Sequence, residues 1–210
     1  MLEKIEVISH SAIKIKDKYI IYIDPFRIEK EYKDADYIFI THDHYDHYSE
    51  EDIRKVKNID TKIIVPIDLY DRVSKIGFIK ENITMVKPNK KYKINEIEFE
   101  TIPAYNVNKS FHPKENNWIG YIITVNNKKY YIAGDTDITE ENKKVKCDIA
   151  FLPIGGVYTM NYEEAASLVN IIKPKIVIPI HYGSIIGTKE DAINFSKLVQ
   201  SNIECKIILK

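Results

Sequence analysis

The sequence predicts a soluble mixed α/β protein whose helices cover the faces of β-sheets. Three observations predict it. Short β-type apolar runs dominate the first half, strands and helices alternate in the last third, and several apolar runs end abruptly in a histidine or an aspartate. At 210 residues the chain can bury a core of ordinary size. Its 44% hydrophobic and 30% charged residues are a globular composition. A single domain spanning residues 1–210 is expected.

The elements follow in order. "KIEVIS" (4–9), "AIKIK" (12–16) and "YIIYID" (19–24) read as strands, with "KDK" turning between the last two. "DYIFIT" (36–41) is a fourth strand. "SEEDIRKVK" (49–57) opens a helix, with Ser49 as N-cap and Asp52 three residues on in a capping-box arrangement. "TKIIVP" (61–66) is a strand and "IDLYDRVSKIG" (67–77) a helix that Gly77 stops. Strands return with "NITMVK" (82–87), "EIEFETI" (96–102), "WIGYIITV" (118–125) and "KKYYIAG" (128–134), the last pair joined by an Asn126-Asn127 turn. Then strand "DIAFLPI" (148–154) precedes helix "NYEEAASLVNIIK" (161–173), capped by Asn161 and closed before Pro174. Strand "KIVIPI" (175–180), helix "KEDAINFSKLVQS" (189–201) and strand "ECKIIL" (204–209) complete the chain. No linker, low-complexity tract or internal repeat is evident.

Composition narrows the function. No run of about 18 apolar residues could span a membrane. The start, "MLEKIEVISH", carries polar residues where a signal peptide needs an apolar core, so a cytoplasmic protein is expected. Cys147 and Cys205 are isolated and read as reduced thiols. Thirty-one basic and thirty-one acidic residues cancel. The lysine clusters "NKKYK" (89–93) and "NKKVK" (142–146) have acidic flanks and read as solvated loops or turns. Neither a nucleic-acid footprint nor a membrane-binding helix is expected.

The chemistry concentrates in "THDHYDHYS" (41–49). Three of the chain's six histidines lie between His42 and His47. With this chain's own composition, His42-x-His44-x-Asp46-His47 would arise by chance with odds of about 3 in 10,000. Residues i and i+2 of an extended segment point the same way, so His42 and His44 suit one ion. Asp46 and His47 then face a second ion as the chain turns into the helix. Two more apolar strands end in ligand types, at Asp135 and His181. Asp135 could bridge both ions, and His181 would complete the second site. Packed as a plain surface loop, the three imidazoles would gain nothing.

These residues resemble the metallo-β-lactamase superfamily over nearly the whole chain. "IYIDPF" (21–26) is similar to its early Asp-bearing strand, "ITHDHYDH" (40–47) to its ligand loop, "IAGDTD" (132–137) to its bridging-Asp segment and "IPIHYG" (178–183) to its last ligand. "ISHSAIKI" (8–15) followed by "YIDPF" resembles the compact group that includes the ascorbate-phosphate lactonases and the N-acyl-phosphatidylethanolamine phospholipase D. The resemblance implies a four-layer αβ/βα sandwich of two mixed sheets. It maps His42 and His44 onto a first metal site, and Asp46, His47 and His181 onto a second, with Asp135 bridging. Many relatives carry a first-site histidine just after "PA", one residue on. Here "TIPAYN" places Asn106 at that point, and His112 in "NKSFHPK" is the nearest histidine. His112 is favoured, because an amide is a poor ligand for zinc-type ions.

The resemblance implies a hydrolase with two divalent ions, zinc first and manganese or iron as alternatives. A metal-bridged hydroxide would attack an ester, lactone or phosphodiester of a small metabolite, and Asp46 would orient it and move its proton. Asp24 is expected to orient a ligand. His10, Tyr158, Thr159, Tyr182, Lys109 and Lys114 are weaker candidates to line the site. Asp137 is expected to be an exposed loop acid. The alternatives are a nucleic-acid phosphodiesterase, a metal-dependent sensor without turnover, and a di-iron redox protein. The last lacks a flavodoxin-like partner segment here, and His44 stands where such proteins tend to have a carboxylate. The substrate and the oligomeric state are not legible.

Overall fold

Each of two mixed sheets begins as an antiparallel meander and ends in parallel strands. The computed structural model describes residues 2–209, so residues 1 and 210 of the expected span lie outside it. The chain divides into two units, 2–87 with Leu209 and 88–208.

In the first unit the strands are β1 (Ile5–Ser9), β2 (Ala12–Lys16), β3 (Ile20–Ile23), β4 (Ala35–Phe39), β5 (Lys57–Pro66) and β6 (Ile83–Val86), and they lie in chain order. β1 to β3 pair antiparallel and β3 to β6 parallel. Helices α1 (Glu50–Val56) and α2 (Tyr70–Lys75) carry two of the three parallel crossovers, β4 to β5 and β5 to β6. Ile53 and Val56 of α1 and Val73 of α2 join one apolar cluster with Ile38, Ile63 and Val65 of the sheet. Each such buried side chain contributes about 2 kcal/mol, which fixes the end of β4 from which the ligand loop departs.

In the second unit the strands are β7 (Lys91–Ile94), β8 (Ile97–Pro103), β9 (Ile119–Val125), β10 (Lys128–Ile132), β11 (Ile149–Pro153), β12 (Ile176–Ile180) and β13 (Glu204–Cys205), ordered β13-β12-β11-β10-β9-β8-β7. β7 to β10 are antiparallel and β10 to β13 parallel. β11 and β12 are buried at every position, as parallel strands covered on both faces must be. Helix α3 (Tyr162–Ile172) has a full capping box between Asn161 and Glu164, and helix α4 (Lys189–Leu198) one between Thr188 and Asp191. The units thus share a topology that no sequence repeat announces.

Four local expectations are corrected. "NKKYK" is not all loop, because Lys91–Ile94 is a strand whose lysines point to solvent while Tyr92 and Ile94 are half-buried. Lys91 stands opposite Glu100 and Lys93 opposite Glu98, so charge complementarity supports the pairing. Ser49 caps α1, but no reciprocal box forms. The Asp52 carboxylate instead accepts from the Arg27 and Ile28 backbone N–H groups, both at 2.9 Å. The expected helix over 67–77 divides into a 3-10 turn at Ile67–Leu69 and α2. "ECKIIL" contributes only Glu204–Cys205 to the sheet. Among the described residues no helix is long and apolar enough to cross a membrane.

Candidate metal centre

In the first unit, β3 and β4 run parallel with Ile23 beside Phe39, so the residues that follow each strand leave the sheet side by side. Asp24 takes a left-handed backbone, φ 44°, a conformation that Asp tolerates better than most residues. Its Oδ1 accepts from the Thr41 N–H at 2.8 Å. Its Oδ2 accepts from the Thr41 hydroxyl at 2.6 Å and from His47 Nδ1 at 2.8 Å. Burial pushes the Asp24 carboxyl above the usual carboxylate range, while His47 and Thr41 pull it back down. The two Thr41 donors engage both of its oxygens, so it faces His47 Nδ1 as an acceptor.

One carboxylate therefore sets two tautomers. His47 holds its proton on Nδ1 and presents Nε2. The Thr41 hydroxyl, having donated to Asp24, accepts from His42 Nδ1 at 3.0 Å, so His42 also presents Nε2. That atom lies 3.2 Å from His44 Nδ1. Asp46 Oδ2 lies 3.7 Å from His47 Nε2 and 3.2 Å from His10 Nε2. His10, just past β1, has φ 47° and is buried.

In the second unit, β10 and β12 flank β11. Asp135 follows β10 by three residues, and His181 follows β12 directly. His181 Nε2 lies 3.0 Å and His112 Nε2 3.3 Å from Asp135 Oδ2. His181 has φ 58°. The chain passes so close to it that a Cβ on Gly155 would stand 2.6 Å from the His181 carbonyl oxygen.

Asn106 does not aim its amide at Asp135. Its Oδ1 accepts from the His112 backbone N–H at 3.0 Å and lies 3.1 Å from His112 Nδ1. Its Nδ2 donates to the Tyr158 carbonyl at 3.0 Å. The Trp118 ring meets the His112 ring edge-on at 5.6 Å.

The donors suit a divalent ion. Ligands at about 2.0–2.1 Å in tetrahedral geometry lie roughly 3.3 Å apart. Within the first unit the His42–His44 nitrogens are 3.2 Å apart, and within the second the two imidazole–Asp135 separations are 3.0 and 3.3 Å.

Among the weaker candidates, His10 lies against Asp46 and Asp24 against His47. Tyr182 is buried, with its phenol pushed up to about 12 by burial, so it offers no substrate surface. Asp137 is buried rather than an exposed loop acid, and accepts from the Val107 N–H at 2.9 Å and from Lys109 Nζ at 2.5 Å. Lys109 also donates to the Thr159 carbonyl, and Lys114 is paired with Glu141. Neither lysine is held as a substrate contact. The half-buried Tyr158 ring meets Phe111 edge-on at 4.7 Å. Sequence reasoning missed Thr41. Its position, a hydroxyl directly before the first ligand at a strand end, was the available signal.

The family model described as a β-lactamase superfamily domain matches residues 4–181. A UPF0173 metal-dependent hydrolase of Thermococcus onnurineus is 31% identical over 220 residues, covering 99% of this chain and 96% of the relative. A second, from Staphylothermus marinus, is 36% identical over 180 residues, covering 83% and 74%. A crystal structure from Parabacteroides distasonis, described as a metal-dependent hydrolase, superposes with a TM-score of 0.81 at 32% identity, covering 98% of this chain and 93% of its own.

Proposed function

The chain belongs to the β-lactamase superfamily, among its UPF0173 metal-dependent hydrolases, and from that premise we propose a dinuclear hydrolase acting on an ester, lactone or phosphodiester of a small metabolite. In this proposal the donors sort into two sets that share one carboxylate. As the sequence resemblance implies, His42, His44 and His112 would serve a first ion, Asp46, His47 and His181 a second, and Asp135 both. Zinc suits the imidazole-rich set best. The observation that carries the proposal is the fixing of His42 and His47 by Asp24, directly and through Thr41, so that both present Nε2.

Bound divalent ions supply a water of lowered pKa and positive charge for a developing oxyanion. The protein's own part is proton handling and orientation. Asp46 Oδ2, held 3.2 Å from His10 Nε2, accepts the proton of the attacking water and returns it to the leaving group. Asp24 and Thr41 keep two imidazoles in one tautomer through the cycle.

The test is metal content by elemental mass spectrometry on protein purified without added metal, beside Asp135→Asn. Hydrolysis of bis(p-nitrophenyl) phosphate and of a simple lactone is assayed in parallel. About two zinc ions per chain, lost in the variant, are expected, as is loss of hydrolysis in Asp135→Asn and His47→Ala with unchanged circular dichroism. Full turnover in either variant, or no metal uptake after reconstitution, would sink the proposal. Iron in place of zinc would favour redox chemistry, and metal without turnover a sensor.

A further inference from the structure

We propose that Asn106 is a positioning residue for the metal centre, fixing His112 in the Nδ1–H tautomer so that Nε2 is the atom it presents. This rests on His112 being a ligand, as the proposed function holds. A carboxamide oxygen has no proton to give, so an imidazole nitrogen 3.1 Å from it must carry the hydrogen. The amide itself is not free to turn over. Oδ1 also accepts from the His112 backbone N–H, and Nδ2 donates to the Tyr158 carbonyl, an arrangement that a flipped amide would reverse into two clashes of like groups.

The backbone adds a third tie. The Asn106 N–H donates to the His112 carbonyl at 2.8 Å, closing the loop 107–111 over residues that are largely exposed. Both partners of the pair are themselves buried, Asn106 at 7% and His112 at 1% exposure. The ring is further confined by Trp118. Its remaining nitrogen lies 3.3 Å from Asp135 Oδ2. The residue at the position where many relatives carry a histidine ligand thus acts one step back, through the histidine six residues on.

A role limited to closing the 107–111 loop would lower thermal stability without acting through the ring. The experiment measures zinc affinity by competition with a chromophoric chelator for Asn106→Leu, Asn106→Asp, and Asn106→Leu in a His112→Ala background. It is joined by 15N NMR of the histidine side chains in metal-free wild type. Asn106→Leu should weaken zinc binding about 10- to 100-fold. Asn106→Asp keeps an acceptor oxygen for the ring but sets its second oxygen against the Tyr158 carbonyl, so its loss should be smaller than that of Asn106→Leu without vanishing. In the His112→Ala background, Asn106→Leu should weaken binding no further. His112 should show the Nδ1–H tautomer in wild type.

Wild-type zinc affinity in Asn106→Leu, a further loss in the His112→Ala background, or an Nε2–H tautomer in wild type would each overturn the inference. Wild type that binds no zinc would defeat the proposed function instead, and the tautomer would then decide this inference alone. Should Asn106→Leu not fold, the tautomer of His112 in the wild-type spectrum still decides it.

Discussion

His47 Nδ1 and Asp24 Oδ2 stand 2.8 Å apart, the imidazole fully buried and the carboxylate nearly so. Through that contact a strand-end residue 23 positions earlier decides which face of the histidine is presented.

Asp24→Asn tests the contact with little disturbance of the backbone, since Asn tolerates the left-handed φ of 44° as well as Asp does. The variant loses the charge and offers one acceptor oxygen to three donors. Zinc affinity is expected to fall about 10- to 100-fold. Competition titration checks this, and unchanged affinity would show that Asp24 serves the fold alone.

Gly155→Ala tests the close approach behind His181. The added Cβ would meet the His181 carbonyl oxygen and Ile186 Cγ2, each at 2.6 Å, and His181 Nδ1 at 3.1 Å. Backbone oxygen cannot swing aside, so the end of β12 must shift. A loss of about 1–3 kcal/mol is expected, together with weaker zinc binding. Thermal melts and chelator competition measure both, and a variant that melts and binds zinc like wild type would show that the strand end yields freely.

Asp52→Ala tests how the segment after Asp24 is held. Its carboxylate accepts from the backbone of Arg27 and Ile28 and from the Ser49 hydroxyl at 2.8 Å. Removal strands a buried N–H at Ile28 and takes away charge-assisted bonds, a cost of about 3 kcal/mol. For a chain of this size that lowers Tm by roughly 6–12 °C. A drop of under about 2 °C would mean that water replaces the carboxylate.

Alkaline pH should destabilise the fold. Burial pushes the phenols of Tyr48 and Tyr182 up to about 12, whereas an unfolded phenol ionises near pH 10. A raised folded pKa means that this stability is complete below about pH 10 and is lost as pH rises through about 12, by roughly 2 kcal/mol for each phenol at that point. Denaturant melts from pH 9 to 12 should show the decline, and Tyr182→Phe should flatten it. An identical slope in the variant would reject Tyr182 as a contributor.

Much of this was legible in the sequence for a local reason. Strand and helix periodicity, the Asn161 and Ser49 caps, the Asn126-Asn127 turn and the Gly77 stop depend on neighbours within a few residues. The crowding of His42, His44, Asp46 and His47 behind an apolar strand was equally plain. β7 was hidden because its alternation is masked by lysines, and its glutamate partners lie on the next strand.

What the sequence determined by itself is the type of most elements, the residues that could bear a ligand and, through the resemblance its motifs carry, the superfamily with its two mixed sheets, because element type and ligand type are properties of short stretches. Only the tertiary structure decided what those residues touch. It buried Asp137 and Tyr182, engaged Lys109 with Asp137, linked Asp24 through Thr41 to His42, and turned the Asn106 amide toward His112. Apart from the adjacent Thr41 and His42, those pairings join positions from six to 28 apart in the chain. A hydrogen bond is directional and short, so backbone register and side-chain burial, which no local pattern encodes, select the partner.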